Sequence, residues 1–80
     1  MVDYRQVLGR NVRMRRRELG LTQEALAARV GIDRTYVSGI ERGRRNPSLG
    51  LILSLARSLS LSPNLLIDPT LASTEEIRQS

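Results

Sequence analysis

Thirteen arginines supply all the side-chain positive charge of this 80-residue chain, with no lysine, histidine or cysteine beside them. A guanidinium fork donates two parallel hydrogen bonds to a phosphate or to the edge of a guanine, so its chemistry is recognition rather than bond making. Without cysteine there are no disulfides, thiolate metal sites or thiol nucleophiles. Without histidine the commonest metal ligand and general base are missing. There is also no paired-carboxylate constellation and no glycine-rich phosphate loop, so neither an enzyme nor a metal, cofactor or small-molecule site is expected. The arginines are clustered. Residues 1–45 hold eleven of them against five acids, a net +6, whereas residues 46–80 carry −1. The basic half is where a polyanion would bind. GC-rich coding accounts equally well for the missing lysine, but not for the clustering.

The elements that must position these arginines are helices. Apolar residues recur at helical spacing, breaks fall at glycine or proline, and neither a repeat nor an alternating strand pattern occurs. The expected fold class is all-α with five helices. The first spans about Tyr4 to Glu18, with Leu8, Val12, Arg16 and Leu19 on one face and Gly20 as its stop. The second spans Gln23 to about Val30 after a Thr22 cap, and the third Arg34 to about Arg42 after an Asp33 cap. The fourth follows Asn46-Pro47-Ser48 and reaches about Leu59, with Leu49, Ile52, Leu55, Ala56 and Leu59 as its core stripe. The fifth is short, Pro63 to Ile67. Residues 1–69 form the expected folded unit. Residues 70–80 form a polar tail, in which Ser73-Thr74-Glu75-Glu76 has the makings of one capped turn.

The most informative stretch is Leu21 to Ile40. Counting Gln23 as first, Ala27 is fifth, Gly31 ninth, Val37 fifteenth and Ile40 eighteenth. The fifth position lies where two helices approach, so it must be small. The ninth must take positive φ, which glycine does cheaply. The fifteenth and eighteenth pin the second helix onto the first. These demands describe a helix-turn-helix, in which one helix crosses the phosphate backbone and the other enters the major groove. Gly39 stands in mid-helix, explained either by a crowded contact or by room for DNA.

At these residues the sequence resembles the Xre-type, lambda repressor-like helix-turn-helix family. The match LGRNVRMRRRELGLTQEALAARVGIDRTYVSGIERGRRNPSLGLILSLARSLSLS runs over about residues 8–62. Within it, DRTYVSGIERGRRNPS is similar to the controller proteins of restriction–modification systems. The resemblance implies that Gln23, helped by Thr22 and the nearby helix N-terminus, clamps a phosphate. It implies that Arg34, Thr35 and Ser38 meet base edges, with Arg34 reading a guanine. Tyr36 resembles a DNA-contacting tyrosine, with coverage of the core edge as its alternative role. Arg42, Arg45 and Asn46 resemble phosphate contacts, although Arg42 and Arg44 also suit a helix C-terminus as plain solvated charges. Arg13, Arg15 and Arg17 read as solvated, with Arg17 within reach of a phosphate. Arg16 and Glu41 are implied to pair as a partly buried structural bridge.

One small domain offers few base contacts, so a homodimer on a near-palindromic double-stranded operator is expected, with half-sites roughly 34–36 Å apart. Leu51, Leu53, Leu65, Leu66 and Ile67 exceed what so small a core can bury and are the expected dimer interface. The expected function is a sequence-specific transcriptional regulator. A restriction–modification controller, a phage-type repressor and an antitoxin that represses its own operon remain open, as does a contact with RNA polymerase if the protein activates. A protein-interaction module without specific DNA binding is the alternative of another class. No apolar run approaches the ~18 residues of a membrane span and no signal-peptide h-region is seen, so the expected location is the cytoplasm.

Overall fold

The computed structural model describes residues 1–72. Five helices follow one another: α1 (Tyr4–Glu18), α2 (Gln23–Val30), α3 (Arg34–Glu41), α4 (Leu49–Ser58) and α5 (Pro63–Leu66). The pattern of caps explains the boundaries. Asp3, Thr22, Asp33 and Ser48 each hold an extended backbone and accept a hydrogen bond from a main-chain N–H of the first turn. Ser62 makes no such bond, and Pro63 opens α5 instead. Gly31 ends α2 at φ 81°, and its own N–H and that of Ile32 both donate to the Ala27 carbonyl. α3 stops one residue before the expected Arg42, which serves as its C-cap.

The core gathers Leu8 and Val12 of α1, Leu26 and Ala27 of α2, Val37 and Ile40 of α3, Leu55 and Ala56 of α4, and Leu59 and Leu66 beyond them. Ala27 lies buried at the α2–α3 approach, where a larger side chain would force the helices apart. Gly9 does the same for α1 and α3. A Cβ there would run into the carbonyl oxygens of Ile40 and Glu41, so α1 rests directly on the end of α3. The sequence reading had no signal for this contact.

Three expectations about packing need correction. Leu19 is exposed, as the C-cap of α1, and Val7 is buried in its stead. Leu49, expected in the α4 stripe, is 71% exposed, whereas Leu51 packs against the core. The two leucines stand at opposite margins of one helical stripe, and the neighbouring elements cover only one margin. Leu66, expected at a dimer interface, is fully buried within the single chain. It occupies the space between α1 and α4 that the short α5 closes, so it has no surface left to offer a partner.

The folded unit also continues past Pro69. Asn11, buried on α1, donates through Nδ2 to the carbonyls of Leu65, Leu66 and Asp68, and its Oδ1 accepts from the N–H of Ala72. Ala72 is itself buried. Four hydrogen bonds satisfy both polar atoms of the amide, so its burial carries no unmet desolvation cost. The expected turn at Ser73-Thr74-Glu75-Glu76 lies outside the described residues. Among the described residues no helix is long and apolar enough to cross a membrane, and no group of acidic side chains could hold a metal ion.

Candidate nucleic-acid interface

The two sides of α3 divide by chemistry. Val37 and Ile40 are inside, at 0% and 1% exposure. Arg34 and Thr35 are exposed, and Ser38 is half-buried on the same outward side. Asp33 starts the helix by accepting from both the main-chain N–H (2.8 Å) and the hydroxyl (2.7 Å) of Thr35. Those bonds, the hydroxyl's first, hold the Asp33 carboxyl below its ordinary value of 3.8. The Thr35 hydroxyl therefore spends its proton on Asp33 and presents lone pairs outward.

Glu41, at the other end of α3, is the hub that orients the helix. Its carboxylate takes a forked pair from Arg16, Nε to Oε2 at 2.6 Å and Nη2 to Oε1 at 3.0 Å. The two side chains are only 11% and 4% exposed. Arg16 also donates to the Leu21 carbonyl at 2.8 Å, which fixes the chain entering α2. Gln23 donates from Nε2 to Glu41 Oε1 at 3.1 Å, and its own Oε1 accepts from Arg34 at 3.4 Å. A continuous run of hydrogen bonds thus reaches from α1 through α3 and α2 to the first residue of α3. Gln23 is half-buried and Thr22 exposed with its hydroxyl capping α2, accepting from the Ala25 N–H.

The segment after α3 folds back onto it. The Arg44 N–H donates to the Gly39 carbonyl at 2.9 Å. The Arg45 guanidinium lies over the Tyr36 ring, 5.1 Å from its centroid. Tyr36 is half-buried and packs on the core edge, as its alternative role expected, while its outer face carries a cation. Arg42 turns Nε toward the Ser38 carbonyl at 3.4 Å, the arrangement of a cation at a helix C-terminus. Arg42 and Asn46 are exposed. Arg10, Arg13 and Arg17 are also exposed, along the outer side of α1. Arg15, expected to be solvated, is instead half-buried and donates to the Leu59 carbonyl at the end of α4.

An all-helical, lambda repressor-like domain with a helix-turn-helix of free outward face is the protein class that this fold and site define. A helix-turn-helix family model matches residues 12–66, and the chain belongs to that family of DNA-binding transcription regulators. It is 45% identical over 69 residues to the HTH-type transcriptional regulator y4dJ of Sinorhizobium fredii, covering 86% of this chain and 90% of that one. The crystal structure of the restriction–modification controller C.AhdI from Aeromonas hydrophila is similar at a TM-score of 0.74 and 47% identity, over 78% of this chain and 94% of that one. The controller C.Esp1396I, solved as a tetramer with its natural 35 base-pair operator, matches at a TM-score of 0.75 and 28% identity, over 96% and 99% of the two chains.

Proposed function

We propose that the chain is the controller-type regulator its relatives suggest, binding a near-palindromic double-stranded operator as a pair of chains in the cytoplasm. The observation that carries this reading is the division of α3. Its inner side and its ends are fixed by Val37, Ile40, Glu41 and Asp33, and its outer side presents exposed Arg34 and Thr35 and half-buried Ser38. Arg34 is the residue for a guanine, with Gln23 holding its guanidinium from behind. Gln23, Thr22 and Asn46 lie where phosphates flank a helix in the major groove, and Arg42 stands beside them with its charge at the end of α3. Pairing is assigned to the apolar side chains that remain outside on α4 and α5: Leu49 and Leu53, one turn apart on α4, and Ile67 at the end of α5. Leu51 and Leu65, also expected there, are half-buried, Leu51 against the core of its own chain.

Selection of bound sites from random duplex DNA tests the reading. A two-fold-related motif is the expected result, and its half-sites should lie about one helical turn apart. No enrichment at moderate salt overturns it.

A further inference from the structure

Gly39 occupies the middle of the outward side of α3, four residues after Thr35 and three after Tyr36, yet it is buried. What buries it is Arg45. A Cβ at Gly39 would stand 2.8 Å from Arg45 Cγ and 3.1 Å from its Nε, closer than the arginine stem tolerates. The stem crosses the bare Cα, and the guanidinium beyond it reaches the Tyr36 ring. The Arg44 N–H bond to the Gly39 carbonyl ties the loop down at the same residue. Glycine is a poor helix former, and alanine would favour α3 in isolation. Gly39 is therefore a helix-weakening residue whose structural return is the passage of Arg45.

We propose that Gly39 is a positioning residue for DNA reading: its missing side chain lets Arg45 cross the face of α3 and stack on Tyr36, so that Arg45 and Tyr36 meet base edges as one unit. This rests on the DNA-binding reading above. It moves Arg45 from the phosphate contacts to the groove-facing set. A cation held over an aromatic ring is pre-ordered, and less freedom is lost when it engages a base.

The test has a DNA-free and a DNA-bound arm. In the free protein, stacking on Tyr36 shifts the Arg45 side-chain resonances upfield by ring current. Gly39→Ala should abolish that shift while the melting temperature stays level or rises. On the selected duplex, Gly39→Ala should weaken binding by about three- to tenfold and change base preference opposite α3. In an Arg45→Ala background the same substitution should cost nothing more. An equal loss in both backgrounds means that the added methyl meets DNA directly, and overturns the proposal. So does an unchanged Arg45 shift in Gly39→Ala. Should Gly39→Ala not fold, Arg45→Ala and Tyr36→Leu serve instead: their binding losses should be non-additive, and additive losses overturn the unit. If wild-type protein selects no sequence at all, the regulator reading falls, while the ring-current arm still decides whether Gly39 positions Arg45.

Discussion

Glu41 accepts two hydrogen bonds from Arg16 and one from Gln23, and this concentration on one carboxylate sets the behaviour of its partners. Breaking a largely buried pair leaves the surviving charge uncompensated. Arg16→Ala or Glu41→Ala should therefore cost about 3 kcal/mol of stability, read by urea denaturation. The accompanying loss of DNA binding would report unfolding. Arg34→Ala should leave the melting temperature unchanged and relax preference at one base pair per half-site, worth about 1–3 kcal/mol in competition binding. Gln23→Ala should weaken binding to every sequence. It should also relax preference at the Arg34 base pair, because the 3.4 Å contact between these two side chains is lost. The Arg16–Glu41 partnership was legible through family resemblance alone. The hydrogen bonds of Gln23 were not, because they join α2 to both ends of α3, which only the packed helices bring together.

At the scale of elements, helix starts follow from local chemistry and helix contacts do not. Asp33, Thr22 and Ser48 cap where their types and neighbours say they should, since a cap needs only a short polar side chain and the N–H two or three residues on. Asp33 gives a pH prediction. Its carboxyl is held below 3.8 by the Thr35 hydroxyl first and the Thr35 N–H second, so folding favours the charged form. That contribution is present above the unfolded value and disappears as pH falls through the folded one. Asp33→Asn should accordingly flatten the part of the melting-temperature profile that drops below about pH 4, where Asp3 and Asp68 act in the same direction. Gly9 belongs to the other category. Gly9→Ala should destabilise by about 1–3 kcal/mol, because the methyl group meets main-chain oxygens of Ile40 and Glu41 rather than a side chain able to move.

For the whole molecule, the decisive matter is which apolar residues the single chain keeps for itself. Leu66 is wholly inside, so Leu66→Ala should unfold the chain by about 2–5 kcal/mol rather than release a folded monomer. The clean probe of pairing is Leu53→Glu, on a side chain that is 41% exposed. Sedimentation at tens of micromolar should show a folded monomer for that variant and a dimer for the wild type. A monomeric wild type would end the pairing proposal. Asn11 matters at this scale too, since one buried amide joins α1 to the end of α5 and to Ala72. An isolated asparagine in a helical pattern announces nothing of this, because its partners are main-chain groups more than fifty residues away.

By itself the sequence determined the all-α class, the five helices nearly to the residue, the offsets of the helix-turn-helix and the side of α3 that carries Arg34, Thr35 and Ser38. Each of these rests on periodicity, capping or the need for a small residue, and all act within a few turns of chain. Only the tertiary structure decided that Leu51 is covered and Leu49 bare, that Leu66 is core, that Arg15 serves α4, and that Gly39 is a passage for Arg45. Those outcomes depend on which element arrives over a given face, and a helical pattern marks its faces without naming the neighbour that will cover them.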